Sequence, residues 1–586
     1  MATLPRDPSE DTACLSLRWS GALVAGLADG GVGHLVLSPG SRSTPVVLAA
    51  QGLSGLELVP ILDERSAAFF ALGLARASGL PVGLLCTSGS APGHWLPAVI
   101  EASAWGVPLV LLTADRPPQL RGWGANQTID QTRLFGPFVR EFHDPGSPQD
   151  GAAALKAMRA LGRRAAAVAL GPSPGPVHIN LPFPEPLVPS TDCAPTSEPP
   201  GSVAFRQAPP GVGPLPGPTP GSLAPLMQGR GLICCGPGDL DRCAPDLWAC
   251  ARATGLPVLT DPLSGLRFGA TAPGRIARYD ALLRNGTAAA ILRPDWVLRL
   301  GAAPVSRTLL DWLAGVPALL VDPAGRWADP SQDAVIHLDA DPGAFCRWLA
   351  TSGLVRPDPG WLALWIRAEE RIEALAVAHL AIGPWCEAHL IGDLIDSLPA
   401  GDGLFCANSL PIRQLDTWSG TRSAPLPVFG NRGASGIDGQ ASTLAGINAA
   451  GLPTLGLLGD LSLAHDLSGL LLAGRLRRPL VVVNNGGGRI FDYLPQRELP
   501  GLGPLWRTPL DLDLGELAHS FRLAHRRVSD GEGFRQALTE GLRTPGPRLI
   551  EVVIDAEASR DLHLGFWRRV AAELDLGAKD HPAASH

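Results

Sequence analysis

Two short strings in the last third of the chain carry a strong chemical signal: Leu458-Gly459-Asp460-Leu461-Ser462 and Val483-Asn484-Asn485-Gly486-Gly487. Each ends an apolar run that reads as a buried parallel strand. Asp460 and Asn485 therefore fall just past strand C-termini, where α/β sheets place their ligands. A carboxylate and a carboxamide are hard oxygen donors of the kind Mg2+ takes, with its other positions left to phosphate oxygens and water. Glycines in both strings let the backbone approach a diphosphate closely, and a helix expected after Ser462 would aim its N-terminus at the same anion. The chemistry these residue types suit is a diphosphate bridged to the protein by a metal, the alternative being an Asx-rich pair of βα turns.

A second candidate is Glu64, in Leu62-Asp63-Glu64-Arg65-Ser66-Ala67-Ala68-Phe69-Phe70. It follows a hydrophobic strand and opens a helix whose inner face is Ala, Phe and Leu. Taken alone, it is an ordinary first-turn acid favoured by the helix dipole. Joined to the metal motif, and to Cys86-Thr87-Ser88-Gly89-Ser90 one strand later, it reads as a carboxyl group in apolar surroundings. Such a group has a raised pKa and is suited to proton exchange. The third set is a series of Gly-rich strings bearing Arg and amides: Ser38-Pro39-Gly40-Ser41-Arg42-Ser43-Thr44-Pro45, Thr113-Ala114-Asp115-Arg116-Pro117-Pro118, Gly124-Ala125-Asn126-Gln127 and Asn431-Arg432-Gly433-Ala434-Ser435-Gly436-Ile437-Asp438-Gly439.

The Gly-Asp and Asn-Asn pair resembles the signature of thiamine-diphosphate decarboxylases and carboligases. The Arg-bearing strings resemble, in order, those of the 2-succinyl-5-enolpyruvyl-6-hydroxy-3-cyclohexene-1-carboxylate synthase family. The resemblance spans all but the tail, with the middle of the chain least similar. It implies decarboxylation of 2-oxoglutarate on thiamine diphosphate and addition of the succinyl carbanion equivalent to isochorismate, in menaquinone biosynthesis. Both substrates are dianions, and Arg offers a planar, permanently charged fork to carboxylates.

By motif position the resemblance assigns Arg42, Arg116 and Gln127 to isochorismate, with Arg307 contributing from the middle domain, and counts Ser41 and Asn126 among the substrate-binding residues. It assigns Ser409, beside Asn408, with Arg413 and Arg432 to the carboxylates of the oxo acid and its adduct. Glu64 is implied to hydrogen-bond the aminopyrimidine of the cofactor and promote loss of its C2 proton. Ser88, Ile437, Gly459, Ser462 and Asn485 are implied to line the cofactor, Ile437 beneath its two rings. Asp460, Asn485 and the Gly487 carbonyl are implied to hold Mg2+ or Mn2+. Two departures stand out: Gly486 replaces a third asparagine that is frequent in the family, and Thr308 stands beside Arg307 where the family can carry a second basic residue. Because Glu64 and Asp460 lie in different domains, the resemblance implies a homodimer as the minimum unit and a homotetramer as the expected state. Rival readings are another carboligase or decarboxylase of the superfamily, such as an acetolactate synthase, and a non-catalytic cofactor-binding sensor.

The bulk composition agrees with an enzyme of this size. At 586 residues the chain is too long for one hydrophobic core. Its 45% hydrophobic and 18% charged residues are ordinary for a globular protein. The net charge of −7 gives no general reason to bind nucleic acid or an anionic membrane. Nearly all basic residues are Arg, only Lys156 and Lys579 being Lys, so a single Arg away from a motif carries little weight. No apolar run reaches the roughly 18 residues of a membrane span, and the polar stretch Met1 to Glu10 is a poor signal peptide; a cytoplasmic location is expected. The ten cysteines lack paired C-x-x-C spacing and read as plain buried thiols.

The elements that must position these residues read as three doubly wound parallel α/β domains of the thiamine-diphosphate decarboxylase and carboligase type. Short apolar strands alternate with amphipathic stretches. The expected organisation is a pyrimidine-binding domain over 1–190, a Pro/Gly-rich linker over 191–222 and a central domain over 223–355. A helical connection over 356–385, a diphosphate- and Mg-binding domain over 386–572 and a polar tail over 573–586 follow. Thr44 is expected to cap a helix that has Pro45 at its first position.

Overall fold

The computed structural model describes residues 8–189, 193, 223–270, 272–544 and 546–576. The expected linker, Cys193 apart, and most of the expected tail lie outside the described residues.

Three six-stranded parallel sheets carry the described chain. The first contains β1 (His34–Leu37), β2 (Glu57–Pro60), β3 (Val82–Cys86), β4 (Leu109–Asp115), β5 (Glu141–His143) and β6 (Val177–Pro182), in the order β2-β1-β3-β4-β6-β5. The second contains β7 (Gly231–Cys235), β8 (Val258–Thr260), β9 (Arg275–Ile276), β10 (Trp296–Leu300), β11 (Ala318–Val321) and β12 (Ala334–Leu338), in the order β12-β11-β10-β7-β8-β9. The third contains β13 (Gly403–Cys406), β14 (Val428–Phe429), β15 (Thr454–Gly459), β16 (Leu480–Asn484), β17 (Ala524–Val528) and β18 (Arg548–Val553), in the order β14-β13-β15-β16-β18-β17.

Strands such as β3, β4 and β10 are buried along their whole length, because helices cover both faces of a parallel sheet. β3 therefore appears in the sequence as an unbroken apolar run, and β4 and β10 as apolar runs interrupted only by Thr113, Asp115 and Arg299. The strands that periodicity missed include β5, β12 and β17, which flank the others at sheet edges. Except for Val528 their residues are half-buried or exposed, so burial imposes no long apolar run on them.

By packing, the described chain divides into two compact units. One comprises 1–211, 431–452 and 464–476; the other comprises 212–430, 453–463 and 477–586. The sequence reading assigned all of 431–476 to the third block. The difference has a local cause in unit 1. A Cβ added to Gly73 would lie 2.0 Å from the Thr443 carbonyl oxygen, and one added to Gly446 would lie 2.1 Å from that of Phe70. Two glycines thus let the helices Glu64–Ser78 and Gln440–Ala449 cross with their backbones in contact.

Two local expectations are corrected. Ser43, not Thr44, is the N-cap of the helix Thr44–Gln51, and it makes no side-chain cap bond. Cys14 and Cys193 are joined in a disulfide, with Cα atoms 5.7 Å apart. The plain-thiol reading therefore fails for this pair, which a separation of 179 residues concealed; the other eight cysteines are free and buried. Among the described residues no helix is long and apolar enough to cross a membrane.

Candidate active site

In unit 2, β15 and β16 run side by side with Gly459 opposite Val483. That register brings Asp460 and the Asn484-Asn485 pair to the same end of the sheet. Asp460 is 9% exposed. Its Oδ1 accepts from the Leu461 N–H at 2.7 Å. Its Oδ2 accepts from the N–H groups of Gly487 at 2.8 Å and Gly486 at 3.1 Å. Burial pushes this carboxyl above its ordinary value, against the pull of those backbone donors and of Arg489. Gly486 and Gly487 have φ of +80° and +110°, and a Cβ on Gly487 would meet the Arg507 carbonyl oxygen at 2.3 Å. Only glycine satisfies both the dihedral and the space. The Gly487 carbonyl accepts from the Arg489 N–H at 2.7 Å, closing an inverse γ-turn over Gly488 (φ −72°, ψ 62°).

Asn485 donates through Nδ2 to Glu387 at 3.1 Å. That bond directs its amide oxygen away from the carboxylate. A carboxylate, a carboxamide oxygen and a backbone carbonyl with a second lone pair form an all-oxygen set of the kind Mg2+ takes. Among the described residues no cluster of three His, Cys, Asp or Glu side chains offers a rival metal site. One expectation fails here. The helix starts at Asp460 rather than after Ser462, runs only to His465, and buries Ser462 inside it. It is too short to serve as an anion-binding helix terminus.

In unit 1, β2 leads into the helix Glu64–Ser78. Asp63 caps it, accepting from the N–H groups of Arg65 at 2.8 Å and Ser66 at 3.3 Å. Glu64 is therefore the first helical residue, and it is half-buried. Burial pushes the nearby Cys86 thiol up, and the charge of Glu64 adds to the effect.

The Arg-bearing strings of unit 1 meet at the C-terminal ends of β1, β3 and β4. Arg116 donates to the Ser88 hydroxyl. That hydroxyl donates to the Gln127 carbonyl at 3.0 Å, and the Gln127 side-chain amide donates to the Ser88 carbonyl at 3.0 Å. Gln127 holds φ of +53°, a conformation uncommon for a residue with a side chain. Burial, and then the positive charge of Arg42, pull the Arg116 guanidinium below its ordinary value. Arg42 itself is 4% exposed. It donates to the Phe183 carbonyl at 2.8 Å and to Glu185 at 2.7 Å. Ser41 and Asn126 are exposed in turns.

The Asn431–Gly439 string belongs to the same unit. It is gripped by Glu101, whose carboxylate accepts from the N–H groups of Gly433 at 2.7 Å, Ala434 at 2.6 Å and Ser435 at 3.4 Å. Arg432 and Ile437 are half-buried in this loop.

In unit 2, Ser409 has φ 71° and ψ −125°, a strained backbone of the kind that clusters at functional sites. Arg413, one turn on, donates to its carbonyl, and Asn408 beside it is fully buried. Arg307 stands apart from these: its side chain is 85% exposed and pairs with Asp311 at 2.8 Å.

Sequence reasoning missed three supports. Glu101 is a lone acid in the apolar helix Leu96–Trp105, and that incongruity was its signal. Glu387 opens the helix Glu387–Ser397 and is 4% exposed. Behind Arg116, the buried Asp115 accepts from Asn180 at 3.0 Å and pairs with Arg121 at 2.8 Å, a network no local spacing announces.

Comparison with known proteins adds independent findings. Residues 18–134 match the family described as thiamine pyrophosphate enzyme, N-terminal TPP binding domain, and residues 219–406 match the middle domain of thiamine pyrophosphate enzymes. The chain is 41% identical over 566 residues to the 2-succinyl-5-enolpyruvyl-6-hydroxy-3-cyclohexene-1-carboxylate synthase of Geobacillus kaustophilus (strain HTA426), covering 95% of this chain and 98% of the relative. It is 41% identical to the protein of the same name from Dechloromonas aromatica (strain RCB), over 92% and 99% of the two chains. With that of Haloarcula marismortui (strain ATCC 43049) it shares 40% identity over 95% and 98%.

Proposed function

The chain belongs to the 2-succinyl-5-enolpyruvyl-6-hydroxy-3-cyclohexene-1-carboxylate synthase family of thiamine-diphosphate enzymes, and we propose that it joins 2-oxoglutarate to isochorismate with loss of CO2 in menaquinone biosynthesis. The observation that carries this reading is identity near 40% to synthases of that name along almost the whole chain, with Glu64, Asp460 and Asn485 all present. Thiamine diphosphate, when bound, supplies the electron sink for decarboxylation.

The chain's own residues do the rest. Asp460, Asn485 and the Gly487 carbonyl hold Mg2+ or Mn2+, and glycines 459, 486 and 487 admit the diphosphate. Glu64 exchanges a proton with the pyrimidine ring. Ser88, Ser462 and Ile437 line the cofactor; Ile437 supports its rings from the loop that Glu101 fixes. Ser409, in its strained turn, and Arg413 and Arg432 take carboxylates of the oxo acid and its adduct. Arg42, Arg116 and Gln127 receive isochorismate, Arg307 contributes from the middle domain, and Ser41 and Asn126 bind substrate. A homodimer as the minimum unit, a homotetramer as the working form and a cytoplasmic location belong to the same reading. Light scattering on the purified protein tests the assembly.

The deciding experiment incubates the protein with thiamine diphosphate, Mg2+, 2-oxoglutarate and isochorismate and measures the product mass. A succinylated cyclohexene product is expected. Decarboxylation without ligation would move the protein to another acceptor. Cofactor binding with no turnover of any oxo acid would overturn the enzyme reading.

A further inference from the structure

Asn485 follows β16, and its carboxamide has two chemically opposite ends on one short stem. Turned one way it offers oxygen to a cation; turned the other way it offers two N–H donors. Glu387 resolves the choice. The Asn485 Nδ2–Glu387 Oε1 distance is 3.1 Å, so the carboxyl oxygen accepts from the amino end of the carboxamide. The other carboxylate oxygen accepts from the Ser559 hydroxyl, which fixes the rotation of the carboxyl group. Glu387 sits at the start of the helix Glu387–Ser397, and Ser559 near the start of the helix Ala556–Glu573. With 4% exposure at Glu387 and 3% at Ser559, little water competes for either bond.

We propose that Glu387, locked by Ser559, is the positioning residue that keeps the Asn485 amide oxygen toward the divalent cation. This inference rests on the reading of Asp460 and Asn485 as cation ligands. It also explains why two consecutive asparagines are not equivalent. Asn484 donates to a different buried carboxylate, Glu551, at 2.8 Å. Glu551 is held in turn by His525 at 3.0 Å and takes no part in the Asn485 contact.

The test is a calorimetric titration of thiamine diphosphate binding as a function of Mg2+ concentration, which needs no turnover. Glu387→Met matches the shape of the side chain and removes every acceptor. It should weaken the apparent Mg2+ affinity about 10- to 100-fold, the usual cost of losing an outer-sphere partner. Glu387→Gln can still present an oxygen to Asn485 and should recover most of that loss. In an Asn485→Ala background, Glu387→Met should change nothing further. Glu551→Gln should leave the Mg2+ affinity within about twofold of the parent, as expected for a contact outside the proposed ligand set.

A folded Glu387→Met variant with Mg2+ affinity within twofold of the parent overturns the proposal. If that variant does not fold, Ser559→Ala serves instead, and an unchanged Mg2+ affinity there overturns it equally. If the parent itself binds thiamine diphosphate without any dependence on Mg2+, the ligand reading of Asp460 and Asn485 falls first, and this inference falls with it.

Discussion

The carboxylate of Glu101 lies 2.7 Å from the Gly433 N–H and 2.6 Å from that of Ala434, so a helix in the first sheet's surroundings holds a loop encoded more than three hundred residues later in place. The residue is 3% exposed. Glu101→Ala leaves several backbone donors without their acceptor, at about 1–3 kcal/mol for a buried donor. The loop bearing Arg432 and Ile437 should loosen. The expected outcome is a KM for the 2-oxo acid raised about tenfold or more, read by steady-state kinetics, with Glu101→Gln recovering part of it. An unchanged KM in a folded variant would show that the loop is held by other means.

Glu64→Gln keeps the size of the side chain and removes its acid–base function. Decarboxylation of 2-oxoglutarate should fall about 100- to 10,000-fold, the usual share of a positioned general acid–base. Thiamine diphosphate binding in the presence of Mg2+ should persist. Retained activity would remove Glu64 from the proton transfer.

Gly487→Ala places a Cβ against the Arg507 carbonyl, 2.3 Å away, at a φ of +110°. The turn must open to admit it, with about 1–3 kcal/mol of backbone strain. Because both Gly486 and Gly487 donate to Asp460, the carboxylate loses its orientation as well. Mg2+-dependent cofactor binding should weaken at least tenfold, while Gly474→Ala, with nothing within 4 Å of its Cβ, should leave it unchanged.

Which parts of this molecule could be read in advance follows from burial and locality. β1, β3, β10 and β11 matched their expected bounds because each is a covered strand dominated by apolar residues. The helix Glu64–Ser78 was legible because its cap, its inner face and its terminal Gly79 at φ 68° are all local. Edge strands such as β17, with the exposed residues Ala524, Arg526 and Arg527, carry no such mark. The Asp460 and Asn485 strings announce themselves by composition, yet nothing near them in sequence points to Glu387 or Ser559. Those partners come from different helices, and a hydrogen bond across so many residues leaves no periodic trace. The same holds for the Cys14–Cys193 bridge.

His563 offers a pH prediction. It is 4% exposed among Trp418, Tyr493 and Trp567, and neither ring nitrogen has a hydrogen-bond partner. Burial pushes its pKa down to about 3, with Asp280 opposing and Arg284 and His379 reinforcing. The folded protein keeps this ring neutral, whereas the unfolded chain protonates it near 6.5. Stability is thus untouched above that value and falls as pH drops toward 3. At pH 5 the group costs about 2 kcal/mol. His563→Phe removes the titration and the unpartnered nitrogens together. Thermal melts should show the variant more stable than the parent at pH 8, and by a wider margin at pH 5. An equal margin at both values would mean that the ring is protonated in the folded state.

The crossing of the helices Glu64–Ser78 and Gln440–Ala449 also sets an order of events during synthesis. The first helix leaves the ribosome with its Gly73 face open, and the segment that covers that face has yet to be translated. At about 5–20 residues per second the interval is on the order of half a minute. Throughout it the nascent N-terminal segment presents an unfinished apolar surface, which makes it a natural client for chaperones. A chain terminated anywhere before residue 440 would keep that surface permanently, so loss-of-function truncations should accumulate as aggregates rather than as soluble fragments.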